Sequence, residues 1–413
     1  MTHPSRCPIH HFDPFEATYL ADPYQTFAWA HQEAPVFYSA ELGYYVVTRH
    51  HDIKAILRDP ERFSSRNATD PFTPVSPETA AVFRAGGYAM QRVLLNADGA
   101  THQRIRRHVY AAFTPQRVAT LEPRIRHITR HLLDAIVQRN EHHVDIMAEC
   151  LYTLPAHVIF LLIGLSEAEI AAIKSGSESR VVFTWGKPTA TQQTELAKTM
   201  VEFWQIAEAF VAKRAAQPAD DFTSDLIRTR AGDDHVLSMG EITSVVFGLL
   251  LAGHETTTGL LGNAMRRLLE VPERWHQLCQ HPEQLPAAIE ELLRYDTSVI
   301  AMRRWSTQAC TVGGYDIPAD ANLLLLIGAG NRDALQFDHS DQFDWHRANN
   351  RDHLSFGFGS HYCIGAPLAR LEARIVLGEM LAAFPRARLA TPQTYDYLPN
   401  TSFRGPRQLW IDW

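Results

Sequence analysis

The sequence predicts a mostly α-helical protein with minor β structure, and three observations carry that expectation. Helix-period patterns dominate from Thr101 to about Arg214 and return in long proline-free stretches nearer the C-terminus. β-like runs are short and lie near the start, over 311–326 and over 408–411. No repeat, Gly/Ser-rich linker or low-complexity segment divides the chain, so its 413 residues are expected to form one domain, 1–413, around a large core.

The elements follow in order. Two β-like runs, 36–38 and 44–48, precede a helical pattern over 52–57 that Pro60 stops, which makes a strand-rich beginning. Residues 64–77, rich in Ser, Asn, Thr, Asp and Pro, read as a long irregular loop, of the kind that serves as a lid or is disordered. The helical stretch 101–214 is broken near Pro115, Pro155 and the Gly186-Lys187-Pro188 turn. Ser238-Met239-Gly240-Glu241 has the spacing of a capping box and starts a helix that meets no proline before Pro272. At ~1.5 Å per residue this helix would run roughly 50 Å, enough to cross a domain. Its first half is apolar, and then Gly253-His254-Glu255-Thr256-Thr257-Thr258 breaks the pattern. Threonine hydroxyls bond back to the preceding turn and bend a helix, and such a local violation is where function is expected. A short helix over 285–295, β-like stretches over 311–317 and 322–326, an irregular segment to Leu354, a final helix over 365–384 and a strand over 408–411 complete the chain.

Composition excludes several classes. Net charge is -7 and no Lys/Arg block stands out, so a nucleic-acid partner is not expected. The first 22 residues carry His, Pro, Cys and acidic residues where a signal peptide or anchor needs an apolar run; a soluble, cytoplasmic monomer with no membrane partner is expected. The cysteines (Cys7, Cys150, Cys279, Cys310, Cys363) are scattered and odd in number, which argues against a disulfide framework. Cys7 with His10 and His11 lacks a fourth ligand at zinc spacing.

The last cysteine stands apart. Phe356-Gly357-Phe358-Gly359-Ser360-His361-Tyr362-Cys363-Ile364-Gly365-Ala366-Pro367 is a glycine-rich turn leading into a helix. Cys363 at a helix N-terminus would have its anionic form stabilised by unpaired backbone N–H groups. Gly359 and Gly365 would let the backbone approach something flat and bulky, and Pro367 suits a first helical turn. A glycine-rich helix start with an incidental cysteine is the plainer reading. The spacing Phe-x-x-Gly-x-x-x-Cys-x-Gly, however, matches in full the haem-binding motif of the cytochrome P450 family, and the sequence resembles its soluble bacterial members along nearly the whole length. The resemblance implies the P450 fold, a large helical region plus a small β-rich region. It implies haem b, iron protoporphyrin IX, with the Cys363 thiolate as axial iron ligand, whose electron donation favours O–O cleavage. Phe356, Gly359 and Gly365 would frame that ligand.

The same resemblance extends to the helix break. Ala252-Gly253-His254-Glu255-Thr256 is similar to the family's Ala-Gly-x-acid-Thr motif. Activating dioxygen consumes two protons, which a carboxylate beside a hydroxyl can relay through ordered water. Glu255 would be the proton source and Thr256 the positioning hydroxyl, with Ala252 beside the haem and Gly253 leaving room for oxygen. A zincin reading of His254-Glu255 fails because position 258 is Thr258. Glu291 and Arg294 lie at i and i+3, by periodicity an ordinary surface pair, by resemblance a structural pair behind the haem loop. The family's third member, an arginine, is missing from Asp341-Gln342-Phe343, and Arg347 is the expected substitute. Haem propionates need cations. The resemblance points to His102 and Arg106, four apart on one helical face, to Arg304 with Arg303 as competitor, and to His361. Substrate-facing segments are implied around Phe83, Tyr88 and Met90, around Phe183 and Trp185, at Phe247 and Leu251, over 299–302, and at Ser402-Phe403.

The function implied is insertion of one oxygen atom from O2 into a hydrophobic small molecule, by hydroxylation or oxidative dealkylation. Two electrons would come from NAD(P)H through a separate ferredoxin or flavodoxin and its reductase, because the fifty residues after Cys363 resemble no flavin or iron–sulfur module. A peroxide-dependent haem-thiolate peroxygenase or isomerase is disfavoured by Glu255-Thr256, and a haem sensor or carrier by the lack of an output domain.

Overall fold

The fold is described from a computed structural model in which residues 12–166, 169–170 and 177–413 are placed; the Cys7, His10 and His11 grouping lies outside these residues. Helices dominate it, and their starts follow local chemistry. Ser238 accepts from the Glu241 N–H while Glu241 reaches back to the Ser238 N–H, so the expected capping box closes and starts the helix Met239–Ala252. A second box, Thr189 with Gln192, starts the 27-residue helix Ala190–Ala216. The long central helix is not continuous. It stops at Ala252 and resumes as Glu255–Leu269, whose buried face packs against Thr153–Ile163, Leu285–Tyr295 and the last helix, Ala366–Ala383. Taken together, Met239–Leu269 is long and apolar enough to cross a membrane, but 67% of its apolar window is buried inside the fold, as in a core helix.

The small β region is a five-stranded sheet in the order Val36–Ser39, Tyr44–Val47, Asn322–Leu325, Met302–Ser306, Phe63–Ser64. Its one parallel pairing sets Tyr44 opposite Asn322; the others are antiparallel, with Val36 opposite Val47, Met302 opposite Leu325 and Phe63 opposite Ser306. The strand Met302–Ser306 was not expected, because Arg303 and Arg304 interrupt its apolar pattern; both are in fact buried, at 2% and 5% exposure. A hairpin, Cys310–Val312 with Tyr315–Ile317, turns at Gly313 and Gly314, both at positive φ. Trp410–Asp412 pairs with His143–Asp145 and with Arg388–Leu389.

Two expectations need correction. The opening sixty residues are not simply strand-rich, since Ala17–Ala21 and Tyr24–Glu33 are helices. The irregular stretch 64–77 is no unattached lid. The guanidinium of Arg303 donates to the carbonyls of Ala68 and Asp70 at 3.0 and 2.8 Å, Asn67 donates to the Arg304 carbonyl at 2.9 Å, and Pro77–Ala85 is already helical.

Candidate active site

Cys363 sits in a loop closed by its own N–H, which donates to the Phe356 carbonyl at 2.9 Å, while Tyr362 N–H donates to the Gly359 carbonyl at 3.1 Å. Gly359 has φ +70°, and a Cβ there would stand 2.5 Å from the Leu57 carbonyl. The glycine therefore serves the loop's close approach to the end of the helix His50–Arg58. A Cβ on Gly365 would meet the Cys363 sulfur at an ordinary 3.7 Å. Gly365 caps Ala366–Ala383, with Pro367 in the first turn. Burial raises the Cys363 thiol pKa; the amides of Gly365 and Ala366 and the charges of Arg106 and Arg370 pull against it. Arg370 grips Glu290 through two bonds of 2.6 and 2.8 Å and lies 4.5 Å from the Phe356 ring centroid, bracing the loop.

The expected propionate cations gather on one side of this loop. His102, 2% exposed on the helix Gly99–Ala112, stacks on His361 with centroids 3.9 Å apart, and its Nε2 is buried with no hydrogen-bond partner. Burial, then the charges of His361, Arg106 and Arg304 lower the His102 pKa to about 4, so the ring is neutral, and those groups stand close by. Arg304 is buried with a single bond of 2.7 Å, to the Arg303 carbonyl, and burial lowers its pKa to about 10. Arg303, by contrast, is spent on three carbonyls, of Asp70, Ala68 and Thr184, which separates the two competitors. Arg106 donates to the Tyr362 carbonyl. Both nitrogens of His361 are engaged: Nδ1 lies 3.2 Å from the Leu94 carbonyl, and Nε2 lies 3.3 Å from Ser65 Oγ and 3.7 Å from Asp98. In this arrangement His361 supports His102. Asp98 is half-buried, which by itself would raise its pKa, but bonds from His361, Ser64 and Ser65 hold it well below the usual carboxylate range. Asp98 was missed by sequence reasoning, since its partners come from a distant strand and loop.

At the helix break, Thr256 Oγ donates to the Ala252 carbonyl at 2.7 Å, so its oxygen lone pairs remain to accept from another donor. A Cβ on Gly253 would lie 2.4 Å from Ile159 Cγ1, so its missing side chain makes room for the neighbouring helix. His254, buried, bonds the Tyr152 carbonyl at 2.8 Å, and its Nδ1 lies 3.7 Å from the Glu255 carboxylate. Glu255 also lines a cleft of about 300 Å³ with Glu178, Asp396 and Arg407 on its walls.

Glu291 and Arg294 are fully buried and joined by two bonds of 2.7 and 2.8 Å; they are not a surface pair. Arg294 also donates to the carbonyls of Asn331, Ser340 and Gln342, and Arg347 Nε stands 3.7 Å from Glu291, where the substitute was expected.

A family model described as "Cytochrome P450" matches residues 20–395. The chain belongs to the cytochrome P450 family. It is 36% identical over 346 residues to the erythromycin C-12 hydroxylase of Saccharopolyspora erythraea, covering 83% of each chain. Among solved structures it matches cytochrome P450 CREJ, in complex with (4-ethylphenyl) dihydrogen phosphate, with a TM-score of 0.94 and 36% identity over 98% of this chain and 99% of that one. It also matches an intact type IV self-sufficient P450 monooxygenase, TM-score 0.93 and 39% identical, covering 97% of this chain and 52% of that one. As in the family, the cofactor is haem and the activity that of an oxygen-incorporating oxidoreductase.

The donor set fits that cofactor. Among the described residues no three His, Cys, Asp or Glu side chains are grouped to hold a metal by themselves, which suits an iron that brings its own macrocycle and needs one protein sulfur. The partnerless His102 Nε2 and the sparsely bonded Arg304 are the kind of buried donors that propionates complete. Cys150 is a contrast: burial raises its thiol pKa to about 12, and it is inert packing. The implied substrate segments also meet. Tyr88 contacts Phe83, Trp204 and Phe247; Trp185 packs edge-on against Phe403; Leu251, Val181 and Trp185 form one cluster; and Val299 bridges to Phe403. Phe183 packs edge-on against Phe83 and shares a cluster with Ala197 and Met200.

Proposed function

We propose that this P450 inserts one atom of O2 into a C–H bond of a hydrophobic organic substrate, by hydroxylation or oxidative dealkylation. Electrons come from NAD(P)H through a separate ferredoxin or flavodoxin and its reductase, and the enzyme works as a soluble, cytoplasmic, single-domain monomer. The observation that carries this reading is the acid–alcohol pair Glu255-Thr256 at a break in a buried helix. When bound, haem supplies the redox iron at which dioxygen is reduced and cleaved. Cys363 gives that iron its thiolate, steadied by the Gly365 and Ala366 amides. His102, Arg106 and Arg304 hold the propionates, with His361 stacked behind His102. Glu255, open to the cleft beside Arg407, takes protons from solvent. Thr256 donates its hydroxyl hydrogen bond to the Ala252 carbonyl, so its oxygen accepts a hydrogen bond from a water and fixes that water for proton delivery. Tyr88, Phe247, Leu251, Trp185 and Phe403 supply an apolar, aromatic wall. The hydroxylase relative and the CREJ complex differ in the molecules they are named for, so what is carried over from them is oxidation of an organic skeleton, not a particular substrate.

The test is reconstitution with a separate ferredoxin, reductase and NADH, comparing wild type with Thr256→Ala. Wild type should form product in step with NADH. The variant should keep consuming NADH while product per NADH falls and hydrogen peroxide rises, whereas Glu255→Gln, which removes the proton source, should slow turnover by about 10²-fold or more. Unchanged coupling overturns the role of the pair, and turnover by hydrogen peroxide alone, with none from the donors, overturns the monooxygenase reading.

A further inference from the structure

Arg180, on the helix Ser177–Trp185, is 4% exposed. A guanidinium carries five N–H donors and a permanent charge. Here Nη1 donates to the Phe247 carbonyl at 3.1 Å, and Nη2 reaches the Met90 sulfur at 3.6 Å, an acceptor already shared with the Tyr88 hydroxyl at 3.4 Å. The Phe247 ring centroid lies 4.4 Å from the guanidinium carbon. Among the described residues no carboxylate pairs with Arg180; Glu178, on the same helix, is paired with Arg407 at 3.5 Å.

The other deeply buried arginines show how unusual this is. Arg294 has Glu291, and both Arg267 and Arg404 have Asp296. Arg303 has three carbonyls; Arg332, only partly buried, has the Tyr295 carbonyl and lies 3.5 Å from the Tyr295 ring centroid. Among the described residues, the one that shares the signature of Arg180, a buried guanidinium with one carbonyl acceptor, is Arg304, assigned above to an anionic propionate. A buried charge whose acceptors are one carbonyl and a weak, shared thioether sulfur is costly unless an anion completes it.

The neighbours of Arg180 indicate where the anion comes from. Tyr88, Met90 and Phe247 belong to the segments read as substrate-facing, and Phe247 precedes Ala252 by five residues, about 7.5 Å along the helix at ~1.5 Å per residue. We propose that Arg180 anchors an anionic group, a carboxylate or a phosphate, on an otherwise apolar substrate, and that oxidation falls on a carbon remote from that group. The inference rests on the P450 reading above and names the substrate class of the same site. The planar fork can meet two anionic oxygens at once, while stacking on Phe247 fixes its plane. Burial lowers the guanidinium pKa, a cost that a bound anion relieves.

The haem-loaded enzyme is titrated with para-isopropylbenzoate, para-isopropylphenyl phosphate and the neutral para-isopropylbenzamide, reading the spin-state shift of the haem. Wild type is expected to bind one of the anions about tenfold or more tighter than the amide, the scale of a charge-assisted hydrogen bond; which anion wins separates carboxylate from phosphate. Arg180→Met should erase that preference and leave the amide affinity unchanged, and Arg180→Lys should keep part of it. Equal binding of anions and amide by wild type, no shift with either anion, or parallel loss of anions and amide in Arg180→Met overturns the proposal. The wild-type comparison decides the matter even if a variant does not fold. Because the assay reads binding alone, a failed monooxygenase reading shows separately, as absence of product in the reconstituted system.

Discussion

Glu372 allows a sharp stability prediction. It lies on the helix Ala366–Ala383 at 1% exposure, its Oε2 has no hydrogen-bond partner, and burial raises its pKa well above the ordinary 4.5. The folded protein therefore holds this carboxyl protonated at pH values where the unfolded chain has released the proton. The sign follows from linkage. Above about pH 4.5 the folded state binds one more proton at this site than the unfolded state, so stability falls as pH rises, by about 1.4 kcal/mol per pH unit, until the folded pKa is reached. Glu372→Gln removes the titration and keeps the shape. Its stability relative to wild type should climb at that slope from about pH 5 upward and level off where the folded carboxyl ionises. The assay is urea unfolding of the haem-loaded protein by far-UV circular dichroism at several pH values. A difference between variant and wild type that does not change with pH would refute the reasoning, because it would mean that Glu372 titrates alike in both states. A difference falling with pH would show an ionised, paired carboxylate.

Glu291→Gln should cost about 3–5 kcal/mol in the same unfolding assay, because it leaves the fully buried charge of Arg294 with carbonyls alone; a loss under about 1 kcal/mol would show that the pair is dispensable. Arg107, exposed on the helix Gly99–Ala112, is the available cation for an acidic electron donor, since Arg104 is committed to Glu241 through bonds of 2.6 and 3.0 Å. Arg107→Glu should slow reduction by ferredoxin at low ionic strength, with the difference shrinking as salt rises; equal rates in stopped-flow reduction at low salt would remove this surface from the docking site.

Legibility in the sequence followed the range of the interactions. The Ser238 capping box and the Gly313-Gly314 turn were readable because both are closed by residues within a few positions. The Cys363 loop and the helix break were readable because their spacing departs from helix and strand periodicity in a recognisable way. The strand Met302–Ser306 was not, since the burial of Arg303 depends on carbonyls of Ala68, Asp70 and Thr184, far away in sequence. The same limit hid Asp98 behind His361 and let Glu291 and Arg294 pass for a solvated pair. Gly253 and Gly359 were singled out rightly for lacking side chains, but what fills the space, Ile159 and the Leu57 carbonyl, is set by packing.

The helix break is held by several residues with separate tasks, and that bears on how Thr256 can be tested. Gly253 admits Ile159, His254 ties the turn to the Tyr152 carbonyl, and Thr258 N–H resumes the helical ladder on the His254 carbonyl at 3.0 Å. The Thr256 hydroxyl adds one bond, to a carbonyl that the break has left at the end of its helix. Backbone geometry fixed by several independent contacts persists when one of them goes. Thr256→Ala should therefore leave the break standing and remove an acceptor from the proton route, so that a change in product per NADH reads the chemistry of the hydroxyl and not a collapse of the helix around it.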